Sequence, residues 1–358
     1  MRIALDVTPA ARSQATGIGW YARHLALTLA DALDPADELS FCTRLSRWRA
    51  RAWRVRHPRA RNRWFHTLWG PAGRPHVFHG TDARLPERCR AALVVTVHDV
   101  FSLDSERWAT SRFQAQKRQR YEEIARRAQR IVFDSIATRQ RFLAHFPEAE
   151  ARGRVVHLGI DSGFRPAEPA SVARVRARHG LPESYALYVG EVSVRKNLPN
   201  QGRALVASGS DLPWVWVGRD SFGAPEIHAQ IRQLPGLRVL RPGYLPADDL
   251  PALYSGATLL TFVSHDEGFG LPALEAMACG TPVVVADRGA LPEITGDAAL
   301  RADPEDPESI AAAIGRITRD AEVRERLRKR GLERARQFSW KKTADEMIAV
   351  YRELVPDA

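Results

Sequence analysis

SHDEGFGLPALEAMACGTPVVV, residues 264–285, reads as a strand end, a glycine loop, a helix and a returning strand. The preceding run TLLTFVS is a strand that stops at Ser264. Glu267-Gly268-Phe269-Gly270 then forms the loop. Pro272 falls where a first helical position is expected, and there its missing N–H costs nothing. ALEAMA is strong helix-forming sequence, Gly280 ends it, and TPVVVA returns as a buried strand. Such a strand–loop–helix unit offers backbone N–H groups and the positive end of a helix dipole, which suits a diphosphate and needs no metal. Glu275, one turn into the helix, is placed to accept hydrogen bonds from a ribose diol. Glu267 lies on the loop, close to whatever the phosphate carries.

Outward from this unit, short apolar runs alternate with helical periodicity, the pattern of βαβ units and a parallel sheet. RIALDV opens the chain as a strand, TGIG turns, and Tyr21, Leu25, Leu29 and Leu33 line one helical face. HVFHG, ALVVTVHDV and RIVFDS are further strands, with helices in RQRYEEIARRA and ATRQRFLAHF, and RVVHLGID closes the half. The Pro-rich stretch Asp161–Ala170 reads as a hinge. Alternation then restarts with YALYVG, WVWVG, LRVLRPGYL, ATLLTFVS and TPVVVA, and the chain ends in the amphipathic helix KKTADEMIAVYRELV. The expectation is α/β: two doubly wound Rossmann-like domains, 1–165 and 166–338, facing across an interdomain cleft, with 339–358 returning to the N-terminal domain. Ligands of such sheets bind beyond the carboxyl ends of the strands.

A length of 358 residues agrees with two domains, since single cores rarely grow past roughly 300 residues. Cys42, Cys89 and Cys279 form no CxxC pair, which argues against a disulfide framework or zinc site and for a reducing compartment. With no leader of secretory type and no long apolar run, the expectation is a cytoplasmic protein, peripheral to a membrane at most. A net charge of +11 favours polyanionic company. Arg44–Arg63 carries nine arginines and no acid, interleaved with Trp48, Trp53 and Trp64, with Trp69 just beyond. Read blandly, this is a solvated loop. Read sharply, Arg44–Trp69 pairs with lipid phosphates while its tryptophans sit at headgroup level. No nucleic-acid motif accompanies it, so nucleic acid is not an expected partner.

Embedded in EGFGLPALEAMACGTPVV, the E-x7-E pair Glu267 and Glu275 resembles the signature of retaining GT-B glycosyltransferases, family 4 (glycosyltransferase group 1), and within it bacterial mannosyltransferases. TGIGWYARHL, VHD, HLGID, YVGEVSVRKNL, GYLPADDLPALYSGA and the C-terminal FSWKKTADEMIAVYREL extend the similarity over nearly the whole chain. The resemblance implies that Arg195 and Lys196 bind the diphosphate of a nucleotide-sugar donor and Glu275 the ribose. It further implies that Glu267, Gly268, Phe269, Gly270 and Leu271 grip sugar and phosphate, and that His98 reaches the donor sugar. Gly17 and Gly19 would let a loop approach the phosphates, and Gly243, Tyr244 and Leu245 would pass beside the base. The resemblance favours GDP-mannose as donor, with UDP- or ADP-glucose as alternatives and no cofactor or metal, and leaves the acceptor as a glycan or lipid-linked hydroxyl or a soluble small molecule.

Two departures stand out: Thr16 where many members have glycine, and Glu191 where some place a phosphate-binding arginine. Each site residue also has a structural alternative. His98 suits a packed strand end, Asp99 a loop cap, Arg195-Lys196 a solvated turn, Glu275 and Glu293 helix-start positions, and Gly17 with Gly19 a tight turn. The competing functions are a nucleotide-sugar epimerase or hydrolase on the same scaffold, and a basic polyanion- or membrane-binding module with a decayed site.

Overall fold

A computed structural model describes residues 1–11, 17–104, 106–243 and 245–355. The chain divides into two units. Unit 1 comprises Met1–Asp104, Ser111–Gly159 and Phe338–Ala358; unit 2 comprises Ser105–Thr110 and Ile160–Gln337.

Unit 1 holds eight strands: β1 (Arg2–Asp6), β2 (Glu38–Arg44), β3 (Ala60–His66), β4 (Gly70–Pro71), β5 (Val77–Gly80), β6 (Ala92–Val97), β7 (Arg130–Phe133) and β8 (Gly153–Val155). Their order is β4-β3-β2-β1-β5-β6-β7-β8, parallel except for the β3–β4 hairpin, with Ile3 opposite Leu39 on one side and Val77 on the other. β2 and β3 are strands that sequence patterning did not reveal. β3 is drawn from the arginine-rich run, and its sequence ARNRWFH carries charge that an apolar alternation test rejects. Near the sheet edge such side chains keep solvent contact, and only Phe65 is buried.

The core of unit 1 forms where the strand periodicity of two meets the helical period of 3.6. Val95, Val97, Ile131 and Phe133 point from the sheet onto Tyr121, Ile124 and Phe142. Helix Ile136–His145 starts where Ser135 Oγ accepts from Thr138 N at 3.1 Å, a cap that typically contributes about 1 kcal/mol. The last helix, Trp340–Arg352, buries Trp340, Ala344, Met347, Ile348, Val350 and Tyr351 along one face. Trp340 stacks on His24 of helix Gly17–Ala32 at 5.1 Å between ring centres. Tyr351 is wholly buried, and its hydroxyl meets His79 Nδ1 at 2.6 Å.

Unit 2 has six strands, all parallel: β9 (Ala186–Val189), β10 (Trp214–Val217), β11 (Val239–Leu240), β12 (Leu259–Phe262), β13 (Val283–Ala286) and β14 (Leu300–Ala302). The order β11-β10-β9-β12-β13-β14 is the doubly wound 3-2-1-4-5-6 arrangement, whose order reverses between β9 and β12. Trp214 and Trp216, two apart on β10, share one face and pack edge to face at 4.9 Å.

Glycines end two neighbouring strands here. Gly190 and Gly218 follow β9 and β10 with φ of +151° and +152°, and Gly190 N donates to Val217 O at 2.9 Å. A Cβ on Gly218 would lie 1.9 Å from the Gly190 carbonyl oxygen, so the two chain turns run side by side only because side chains are missing.

Candidate active site

The reversal of strand order in unit 2 brings the loops after β9 and β12 together. The β9 loop ends in a 3-10 turn, Val194–Lys196, followed by Asn197 in left-handed conformation. Asn197 Nδ2 donates to Val263 O (3.1 Å) and Pro304 O (2.7 Å), which pins this loop to the end of β12. His265 N donates to Arg195 O at 2.9 Å, closing the pair of loops from the other side.

Three charged side chains meet at this junction. Lys196 Nζ donates to Glu267 Oε1 at 2.6 Å, and Arg195 Nη1 lies 3.2 Å from Glu267 Oε2. Lys196 and Glu267 are both buried, and Lys196 also sits over the Phe262 ring at 4.8 Å. Burial on its own would raise the Glu267 carboxyl, but the charges of Lys196 and Arg195 outweigh it and hold the group at about 2. Burial lowers the Lys196 ammonium from its ordinary value, with Glu267 opposing. The cluster has two cations for one carboxylate, so it carries a net positive charge.

Helix Leu271–Ala278 begins beside it, with Pro272 at the second helical position, one residue later than sequence reading placed it. Its cap, Gly270, has φ of +104°, and a Cβ there would meet Leu291 Cδ2 at 2.5 Å. Gly268 and Phe269 complete the loop, Phe269 buried. Glu275 stands in the second turn, where it accepts from the Tyr254 hydroxyl at 2.7 Å. Burial pushes its carboxyl up to about 7, against the lowering effect of that hydrogen bond. Gly243 has φ of +83° and Leu245 is buried, while Tyr244 lies outside the described residues. Glu191 pairs with Arg219 (Nε to Oε1, 3.0 Å).

His98, Gly17 and Gly19 belong to unit 1. His98 follows β6, its Nδ1 2.6 Å from Asp134 Oδ2 and its Nε2 2.9 Å from the Thr81 carbonyl oxygen. Gly17 is the first residue of its helix, exposed, and a Cβ there would meet nothing within 4 Å. Thr16 lies outside the described residues. The structure therefore joins Arg195, Lys196 and Glu267 directly and sets Gly268–Leu271 beside them. Glu275 lies one helical turn further on.

Three partners escaped sequence reasoning: Tyr254 for Glu275, and Asp134 with Thr81 for His98. Asp134 alone carried a signal, as a carboxylate at the end of the apolar run RIVF. Among the described residues no group of three or more His, Cys, Asp or Glu is placed to hold a metal ion.

The basic segment is not one solvated loop. Arg44 is buried and pairs with Asp6 at 2.6 Å, Arg54 lies over the Trp64 ring, and Val55 is buried. What remains outside is Leu45, Trp48, Leu68 and Trp69, the last 66% exposed, with Arg47, Arg49, Arg56, Arg59 and Arg61. Leu45 and Trp48 follow the carboxyl end of β2, and Leu68 and Trp69 form the turn after β3. Among the described residues no helix is long and apolar enough to cross a membrane.

The chain is similar in sequence and in fold to known proteins. The family model for glycosyl transferases group 1 matches residues 173–334. O-antigen chain mannosyltransferase B of Escherichia coli is 34% identical over 321 residues, covering 84% of this chain and 79% of that protein. D-inositol 3-phosphate glycosyltransferase of Nocardioides sp. is 31% identical over 256 residues, which is 64% of this chain and 55% of that protein. Among solved structures, sucrose-phosphate synthase of Thermosynechococcus elongatus superposes over the full length of both chains with a TM-score of 0.78 at 23% identity, a likeness of fold.

Proposed function

We propose, from the premise that this chain belongs to the group 1 glycosyl transferases and is a hexosyltransferase of GT-B architecture, that it moves mannose from GDP-mannose to an acceptor hydroxyl with retention of configuration. The observation that carries this reading is the Arg195–Lys196–Glu267 cluster, with Lys196 and Glu267 buried, at the strand-order reversal beside the amino end of helix Leu271–Ala278. A net positive cluster next to a positive helix end is suited to a pyrophosphate, whose charge grows as the sugar–phosphate bond breaks.

In this reading Arg195 and Lys196 hold the leaving diphosphate, with the backbone of Gly268, Phe269, Gly270 and Leu271 against it. Glu275 accepts from the ribose hydroxyls and Glu267 from sugar hydroxyls. His98, Gly17 and Gly19 also serve the donor, and Gly243, Tyr244 and Leu245 flank the base. The departing phosphate takes the acceptor proton on the face the sugar leaves, so no strong protein base is needed. Double displacement is less well supported, because both Glu267 oxygens are already engaged by cations and its carboxyl is held at about 2, a weak nucleophile. The acceptor is a lipid-linked glycan at an anionic membrane surface. Exposed Trp48 and Trp69 among exposed arginines favour this, since that pairing suits headgroup phosphates and the interfacial layer together.

A thermal-shift panel of GDP-mannose, UDP-glucose and ADP-glucose tests the donor. At 100 times its dissociation constant a ligand stabilises by about 2.7 kcal/mol. GDP-mannose is expected to raise the melting temperature most, and Lys196→Ala to abolish the shift. Absence of any shift in the wild type, or turnover of Lys196→Ala near the wild-type rate, rejects the site. Release of free mannose or of an epimer without acceptor would favour a hydrolase or epimerase.

A further inference from the structure

His98 is held in a way that dictates its protons. The Thr81 carbonyl oxygen, 2.9 Å from Nε2, can only accept, so Nε2 carries a hydrogen. Asp134 Oδ2, 2.6 Å from Nδ1, accepts as a carboxylate, so Nδ1 carries one too. Asp134 is 2% exposed, and its other oxygen, Oδ1, is buried with no hydrogen-bond partner among the described residues. A carboxylate so placed depends on the imidazolium for its compensation, and the imidazolium depends on it.

The remaining neighbours leave that pairing undisturbed. Tyr21 packs against His98 at 4.7 Å between ring centres with the planes 77° apart, while its hydroxyl is engaged with Thr96 Oγ1. His79, on β5, is buried between Thr96 and Tyr351. Burial, aided by the charge of His98, pushes its imidazole down to about 3, so it is neutral and does not compete for the charge. Asp82 adds a second negative charge in favour of a protonated ring.

We propose that Asp134 and the Thr81 carbonyl clamp His98 as a permanent imidazolium, which serves sugar transfer as a fixed positive charge and not as a proton acceptor, with Asp134 as its positioning residue. The proposal rests on the glycosyl-transfer reading for its use, and on the two ring contacts alone for its proton state. Burial lowers the ring, but Asp134 overrides it and lifts the group to about 9, in keeping with those contacts. A charge so fixed suits a substrate that bears a pyrophosphate and gains negative charge during reaction. It also accounts for an aspartate at the end of β7 that the motif reading left without work.

Two measurements test it. In protein labelled with ¹⁵N-imidazole histidine, with His98→Gln used to assign the signals, both ring nitrogens of His98 should remain protonated from pH 6 to pH 8. A bare ring nitrogen at pH 7.5 overturns the proposal. This readout needs no sugar turnover, so it decides the clamp even if the transfer reading fails. The second uses Asp134→Asn, whose amide can donate to Nδ1 and so keeps the geometry while leaving the ring neutral. Its kcat/KM should fall about tenfold or more at pH 8 and recover toward pH 6 as the ring regains its proton, where the wild type stays flat. An Asp134→Asn enzyme with a neutral His98 and the wild-type pH profile overturns the functional half.

Discussion

Replacing Glu275 by glutamine should make the protein more stable in mild alkali while weakening its grip on the donor. The Glu275 carboxyl lies at about 7 against an ordinary 4.5, raised chiefly by burial. That difference of about 2.5 units corresponds to about 3 kcal/mol at full ionisation, and the residual solvent contact of this half-buried group trims it to roughly 2–3 kcal/mol. The sign follows from linkage. Below pH 4.5 the carboxyl is protonated in both folded and unfolded chains and costs nothing. As pH rises the unfolded chain loses its proton first, and the penalty is complete once pH passes 7. Glutamine never ionises, and its carbonyl oxygen still accepts from Tyr254, whose hydroxyl now lies 2.7 Å from Oε2. Melting temperatures of wild type and Glu275→Gln should therefore coincide near pH 4 and diverge by pH 8.5, with the variant higher by roughly 4–10 °C. Addition of GDP should narrow that gap, because the carboxylate, once ionised, is the better acceptor for a ribose diol. Circular dichroism melts across this pH range, with and without GDP, supply the comparison. A variant that melts lower than wild type at pH 8.5, or by an offset that ignores pH, refutes the reasoning.

Two further perturbations probe other parts of the molecule. Gly218→Ala sets a methyl 1.9 Å from the Gly190 carbonyl, between two stretches of backbone that cannot both yield. It should cost about 2–4 kcal/mol in urea unfolding, and an unchanged midpoint would contradict the close approach of the two loops. Trp48→Ala combined with Trp69→Ala should weaken cosedimentation with phosphatidylglycerol vesicles by about tenfold while leaving neutral vesicles unaffected, and undiminished binding would rule out these side chains as the contact.

Much of unit 2 could be read from the chain because its strands are short, apolar and punctuated by glycine. Gly190, Gly218 and Gly270 each mark a turn that only they adopt freely, and the runs YALYV, WVWV and TLLTFV have no competing helical period. Unit 1 was harder at β2 and β3. ELSFCTR is buried on both faces but mixes charge and hydroxyl with its apolar residues, and ARNRWFH looks like surface, because a strand near a sheet edge does not need two apolar faces. The candidate site divides the same way. Glu267 and Glu275 announce themselves through local spacing on a loop and helix. The direct pairing of Lys196 with Glu267 spans 71 positions and is fixed by strand order, which no local pattern encodes. His98 was legible as a strand-end histidine. Its proton state was not, because Asp134 and Thr81 reach it from two other strands.

Helix Trp340–Arg352 packs within the unit that also contains the first strand, and Tyr351 closes a buried hydrogen bond onto His79. Synthesis runs from the amino end, so residues 160–337 are all present before that helix leaves the ribosome. The middle of the chain can therefore reach its native state first, while the earlier segments of unit 1 wait for the closing segment to seal them. Translation that halts shortly before Trp340 would release a folded unit 2 tethered to an unsealed partner in which His79 lacks its Tyr351 hydrogen bond, a ready target for chaperones and proteases.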